Sequence, residues 1–161
     1  MRAACPSDAP SLLLALESVA REGLIGAEPG ERGLGQTVWL INQHAAQRAL
    51  MLVALNGARV GGACGLTPGF FRRSAHVLDL GMFVLPPWRG SGLATGLLHA
   101  ALAWARDQGC CKVTLGVLAS NLRAIGFYEK MGFTREGVRR SQFTMEGGFE
   151  DETLMARFLS W

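Results

Sequence analysis

The residues of this chain best suited to chemistry lie in one stretch, Val84-Leu85-Pro86-Pro87-Trp88-Arg89-Gly90-Ser91-Gly92-Leu93-Ala94, where an apolar strand gives way to a long helix. Gly90 and Gly92 let the main chain approach a ligand with no Cβ in the way. The first N–H groups of a helix have no partner within it and point toward any anion placed at its N-terminus. Arg89 adds a full positive charge beside them. The chemistry predicted is the holding of a phosphate or pyrophosphate. Glycine-rich turns serve several nucleotide classes and many structural turns, so the rest of the chain must decide the ligand. The other reactive side chains offer less. Cys5, Cys64, Cys110 and Cys111 form no C-x-x-C pair, and His44, His76 and His99 stand at no ligand spacing to them. This pattern predicts free thiols, no metal site and no disulfide framework.

Periodicity and punctuation indicate the elements that must hold this loop. Ser11 to Arg21 places Leu12, Leu13, Leu16, Val19 and Ala20 on one helical face behind the caps Ser7 and Asp8. Gly23 to Gly35 reads as a polar loop, after which Thr37 caps a second helix running to Arg48. Leu50 to Leu55 and Arg59 to Leu66 flank Asn56-Gly57, a strong hairpin signal. Ala75 to Val84 predicts a third strand, stopped by Pro86-Pro87. Leu93, Leu97, Leu98, Ala101, Leu102 and Ala105 recur at helical spacing until Gly109. Lys112 to Leu118 returns to strand. Asn121 caps a short helix from Leu122 to Met131, which Gly132 ends, and Phe133 opens another strand. Thr153 to Leu159 reads as the last strand, paired with the previous one across Met145-Glu146-Gly147-Gly148. Its apolar end, Phe158-Leu159-Ser160-Trp161, predicts a sheet edge or a homodimer interface. The order predicts mixed α/β with crossovers late in the chain.

Composition bounds what such a fold can do. With 161 residues, 49% hydrophobic and 18% charged, the chain suits a single domain over 1–161. Its net charge of +3 and longest basic runs, Arg72-Arg73 and Arg139-Arg140, argue against a nucleic-acid partner. Apolar segments break well before the roughly 18 residues a membrane helix needs. The N-terminus lacks the order of a secretion signal, so a cytoplasmic protein is expected.

Two motifs together carry a resemblance. Arg89-Gly90-Ser91-Gly92-Leu93-Ala94 is similar to the Gln/Arg-x-x-Gly-x-Gly/Ala signature of the GNAT superfamily of N-acetyltransferases. Asn121-Leu122-Arg123-Ala124-Ile125-Gly126-Phe127-Tyr128-Glu129-Lys130-Met131-Gly132-Phe133 resembles that family's Asn-x-x-Ala-x-x-(Phe/Leu)-Tyr-Glu-Lys-x-Gly-Phe helix. The resemblance is firm from about Leu78 to Gly137, extends to Phe158, and is only architectural before Leu50. It implies a mostly antiparallel sheet of six to seven strands flanked by about four helices, with the fourth and fifth strands splayed apart. The open edge at Met82, Phe83 and Val84 then pairs with the pantetheine amides of acetyl-CoA. Arg89, Gly90, Ser91, Gly92, Leu93 and Ala94 hold the pyrophosphate, within a CoA-binding core of about 78–137.

By the same resemblance, the acetyl group passes to a primary amine of a small molecule or peptide by direct attack in a ternary complex. Tyr128, the only tyrosine, is then the general acid that protonates the departing thiolate. Asn121 caps its helix and hydrogen-bonds the cofactor arm. Lys130 either reaches the phosphate end or is a solvated helix-terminal lysine. Many relatives carry a glutamate five residues before the asparagine; here Gly116 stands there. Asp79 is the leading replacement base, followed by His76, provided the side chain faces the cleft. Glu22, Glu28, Glu31, Glu146, Glu150 and Asp151 are candidates for attracting a cationic amine. Two rivals stay open: a dinucleotide-binding module, weakened by Thr95 where a third glycine is expected, and a catalytically silent CoA-binding domain.

Overall fold

The computed structural model describes residues 1–46 and 49–159. One sheet of seven strands runs in the order β1-β2-β3-β4-β5-β7-β6. The strands are β1 (Arg2–Ala3), β2 (Leu50–Asn56), β3 (Arg59–Pro68), β4 (Val77–Val84), β5 (Lys112–Leu118), β6 (Thr134–Met145) and β7 (Gly148–Phe158). The helices are α1 (Ala9–Ala20), α2 (Leu34–Ala46), α3 (Leu93–Asp107) and α4 (Leu122–Lys130). Every pairing is antiparallel except β4 with β5, which α3 joins as a crossover.

Alternation along the strands sends each face to its own helices. Leu78, Leu80, Leu97, Leu98, Leu102, Leu115 and Ile125 pack into one apolar cluster beneath α3 and α4. Leu12, Ala15, Ile41, Val53, Val60 and Ala63 form a second cluster under α1 and α2. On α3 the repeat predicted from Leu97 to Ala105 is the buried face, and each leucine there contributes about 2 kcal/mol of burial. Gly57, Gly109 and Gly132 all take the positive φ their predicted turns and helix stops require.

β4 and β5 share register only from Val77 with Lys112 to Asp79 with Thr114. β4 continues to Val84 and β5 to Leu118, so beyond Asp79 the two strands part. The gap leaves the β5-facing backbone groups of Leu80 to Val84 without a ladder, and buried groups of that kind cost about 1–3 kcal/mol each unless something pairs them.

Four expectations are corrected. The last strand is not an edge: β7 lies between β5 and β6, and β6 forms the rim. It also begins at Gly148, because its charged residues face cations on β6. α2 starts at Leu34, since Gln36 Oε1 accepts from the Gly33 N–H at 2.9 Å, and Thr37 sits a turn inside, donating to the Gly33 carbonyl at 3.1 Å. The predicted end of this helix at Arg48, like Ser160 and Trp161, falls outside the described residues. The N-terminus adds β1, held by a fork in which Arg2 donates to both Asp8 oxygens at 2.7 and 2.8 Å. Asp8 therefore caps the short 3₁₀ turn Pro6–Asp8 through the Cys5 N–H and leaves α1 without a side-chain cap.

Candidate active site

The splay opens into two cavities, each of about 470 Å³, on either side of a shared neck. The first lies against the glycine-rich turn. It is bounded by Met82, Phe83 and Val84 of the open β4 edge, by Gly90, Gly92, Ala94 and Thr95, and by Phe127 of α4. Gly90 and Gly92 have φ of 78° and 84°, a left-handed geometry that side chains with a Cβ resist. A Cβ at either would meet nothing within 4 Å, so the space before the α3 N-terminus is open. Main-chain N–H groups there suit a pyrophosphate.

The side chains around this cradle are more occupied than the motif indicates. Arg89 donates to Glu22 through two bonds of 2.6 and 2.7 Å and to the Val84 carbonyl at 2.9 Å. Ser91 Oγ donates to the Trp88 carbonyl at 2.6 Å. Leu93 packs into the α3 core, and Lys130 is exposed and lines neither cavity. Asn121 caps α4, its Oδ1 accepting from the Ala124 N–H at 3.1 Å, while Nδ2 donates to the Leu24 carbonyl at 3.0 Å. Glu22 and Leu24 both belong to the segment joining α1 to α2, which therefore folds over the neck.

The second cavity is a mainly apolar chamber. Leu12, Leu13, Leu16, Leu24, Leu40, Met51, Val117 and Phe143 line it, with Asp79, Glu152, His44, Arg32 and Tyr128 as its ionisable groups besides Cys64. Phe143 reaches the chamber because β6 bulges between Arg139 and Phe143, where Ser141 takes a φ of 50°. Asp151 holds the bulge by accepting from the Ser141 N–H at 2.8 Å and from Arg140 at 3.0 Å. The Phe143 ring then abuts Gly26, where a Cβ would lie 2.7 Å from Cζ.

Tyr128 stands at the neck and borders both cavities. Its ring is buried among Phe127 and Phe133. Its hydroxyl finds no hydrogen-bond partner among the described residues, and no fully buried side-chain oxygen there lacks one; the hydroxyl thus opens into the cleft. Burial raises its pKa above the ordinary phenol value, which keeps the proton in place at neutral pH. Asp79 faces the chamber at the point where β4 and β5 part and accepts from Thr114 Oγ1 at 3.0 Å. Partial desolvation against the chamber wall raises its carboxyl above the usual range, opposed by the Thr114 hydrogen bond and helped by the Glu152 charge, although the residue keeps an exposed face. His76 is exposed before β4 and lines neither cavity, which removes it as the second candidate.

Against this geometry, the profile of the acetyltransferase (GNAT) family matches residues 15–133, more than half of the chain. This chain belongs to the GNAT family. An uncharacterized N-acetyltransferase of Mycobacterium tuberculosis is 40% identical over 78 residues, 48% of this chain and 49% of that protein. The L-amino acid N-acetyltransferase of Escherichia coli is 32% identical over 89 residues, 53% of each chain. The chain thus spans about half the length of these curated relatives. Among solved structures, a GNAT-family acetyltransferase from Streptococcus pneumoniae superposes with a TM-score of 0.89 at 25% identity, covering 99% of this chain and 98% of that one. A phosphinothricin acetyltransferase of Sinorhizobium meliloti, solved in complex with AcCoA, shares the fold at a TM-score of 0.89 and 17% identity, covering 99% and 87%.

For a GNAT chain, the acceptor side holds what sequence reading missed. None of the six carboxylates singled out for a cationic amine lines the chamber. Glu22 is tied to Arg89, Glu150 accepts from the Ser120 N–H at 2.8 Å and Asp151 holds the bulge. Glu152, one residue further on, lines it instead, with His44 above. His44 is buried on α2 and donates from Nδ1 to the Leu40 carbonyl at 2.8 Å, leaving Nε2 near Gly65 of β3. The signal available in sequence was alternation: Glu152 shares a strand face with Leu154, whereas Asp151 does not.

Proposed function

We propose that this chain is an N-acetyltransferase that moves an acetyl group from acetyl-CoA to a primary amine, by direct attack in a ternary complex with Tyr128 as general acid. The observation that carries this reading is the Tyr128 hydroxyl at the neck between an anion-holding slot and an apolar chamber bearing carboxylates. Acetyl-CoA supplies the thioester carbon to be attacked and a thiolate leaving group. Gly90, Gly92 and the α3 N-terminus hold its pyrophosphate, and the open β4 edge from Met82 to Val84 receives amide groups as an added strand. Tyr128 keeps its proton until a thiolate develops beside it. Asp79 supplies negative charge that draws an ammonium into the chamber.

Direct attack is supported by the state of the thiols. Cys64 is the cysteine lining the chamber, and burial pushes its pKa up to about 12, so it is no nucleophile at neutral pH. The two E. coli relatives whose names state acceptors, an L-amino acid N-acetyltransferase and a [ribosomal protein bS18]-alanine N-acetyltransferase, support an amine acceptor. The four free cysteines suit a reducing, cytoplasmic setting. No described helix is long and apolar enough to cross a membrane.

Thermal-shift measurements against acetyl-CoA, CoA and NAD(P) test the donor, with stabilisation by the first two expected. Stabilisation only by NAD(P) sinks the reading. Thiol release from acetyl-CoA, screened over polyamines, amino acids, aminoglycosides and peptides, tests the reaction. Binding without release under any acceptor favours the alternative of a silent CoA-binding domain.

A further inference from the structure

The side-chain space at Gly116 is filled by a neighbour's carboxylate. A Cβ on Gly116 would lie 2.6 Å from Glu152 Cδ and 3.2 Å from its Cγ, with Oε1 nearer still. Glu152 arrives from β7, where it pairs with Leu118, so its side chain leaves the sheet on the chamber face and leans diagonally over β5. The residue is 9% exposed. Arg139 on β6 donates to Oε2 at 2.9 Å. Oε1 has no hydrogen-bond partner among the described residues and, by the same accounting as the Tyr128 hydroxyl, opens into the chamber. A carboxylate withdrawn from water demands a cation or donor at each oxygen. Arg139 meets one oxygen, and the other faces the place an acceptor must enter.

We infer that Glu152 is the catalytic base of this site, taking a proton from the acceptor's ammonium at Oε1, and that the acceptor is a primary amine on an apolar body. The inference rests on the acetyl-transfer reading above. Leu12, Leu16, Leu40, Val117 and Phe143 form the apolar wall for that body. One N–H proton of the ammonium passes to Glu152, and the freed lone pair forms the C–N bond to the acyl carbon. The C–S bond breaks, and the sulfur takes the phenolic proton of Tyr128. A second N–H proton, lost as the amide forms, restores Tyr128 through cleft water, and Glu152 returns its proton to solvent. One proton is released per turnover. Arg139 is a positioning residue. Asp79, on β4, lends negative charge without taking the proton. A side chain at 116 would have to displace the Glu152 carboxylate from the place it holds in the chamber.

The test follows thiol release from acetyl-CoA with 2-phenylethylamine and L-leucinamide as probe amines. Glu152→Gln keeps the bond to Arg139 and is expected to lower kcat by about 100-fold, with KM for acetyl-CoA unchanged. Glu152→Ala leaves a hole beside Gly116, and added formate is expected to restore part of its rate. Arg139→Gln is expected to lose about tenfold or less. The double variant Gly116→Glu with Glu152→Gly returns a carboxylate to β5 and is expected to outpace Glu152→Gly alone. Equal losses in Glu152→Gln and Arg139→Gln without formate rescue overturn the base role, as does a near wild-type Glu152→Gln beside a collapsed Asp79→Asn. Turnover of polyamines or charged amino acids with neither probe overturns the acceptor class. Failure of acetyl-CoA to stabilise the protein removes the acetyl-transfer reading itself and this inference with it, a result distinct from the others.

Discussion

Arg89 beside the glycine turn and Glu22 in the segment after α1 form a forked ion pair, with Nη1 and Nη2 2.6 and 2.7 Å from the two carboxylate oxygens. The pair places a negative charge beside the slot proposed for the pyrophosphate, and Arg89 holds the Glu22 carboxyl below the usual range. Removing that charge lessens repulsion of an anionic donor. Glu22→Gln is expected to tighten acetyl-CoA binding by about 3–10-fold in calorimetry, with the gain shrinking as salt is raised. Weaker binding in this variant would mean that the pair serves the slot by ordering it.

Gly92 precedes α3 with φ at 84°, and open space lies before it. An alanine there costs about 1–2 kcal/mol in backbone strain. Gly92→Ala is expected to lower Tm by a few degrees and to weaken acetyl-CoA binding by about tenfold. The expected drop in Tm with unchanged acetyl-CoA binding would refute a role for this turn in holding the donor.

The Tyr128 hydroxyl has no hydrogen-bond partner among the described residues, so its removal leaves no orphaned group there. Tyr128→Phe is expected to change stability by less than about 0.5 kcal/mol, while kcat falls by about 100-fold or more. Acetyl-CoA binding is expected to hold. An unchanged kcat, measured with any amine the wild type acetylates, excludes the phenol as the acid.

Asp79 and Asp8 give opposite signs of pH dependence. Partial desolvation raises the Asp79 carboxyl although the residue keeps an exposed face, so its ionised form modestly disfavours folding, and stability falls as pH rises from the ordinary aspartate value through the raised one. Asp79→Asn is expected to melt higher than wild type at about pH 7–8 and to match it near about pH 3, where both side chains are neutral. A lower Tm for the variant at neutral pH would reverse this assignment.

Asp8 behaves the other way. The Arg2 fork holds its pKa down at about 2, against 3.8 ordinarily, so its contribution is present above 3.8 and lost as pH falls toward 2. Arg2 is half-exposed, so solvent screens the pair. Asp8→Asn is expected to be less stable than wild type in denaturant titrations at pH 7 and to converge on it in acid.

The glycine turn and the helices on either side of it were legible because their determinants are local. The αL glycines, the Asn121 cap, the Gly132 stop and the apolar repeat of α3 each act within a few residues of themselves. The acceptor half was not, since it depends on strand register. Glu152 reaches Gly116 only because β7 pairs with β5, and its neighbour Asp151 turns to the β6 bulge instead. Arg89 met Glu22 rather than open solvent for the same reason: the α1–α2 segment folds back from far away in sequence. Asp79 was a candidate only on condition that it face the cleft, and it lines the chamber; nothing in the sequence placed β1.

The parting of β4 and β5 beyond Asp79 and Thr114 has a consequence for how such a protein changes over time. The width of that wedge is set by main-chain register, so no single side-chain substitution can shut it. The chamber is bounded instead by side chains borrowed from α1, α2, β6 and β7, each replaceable on its own. On the proposed reading, donor choice follows the backbone, whereas acceptor choice can drift one residue at a time.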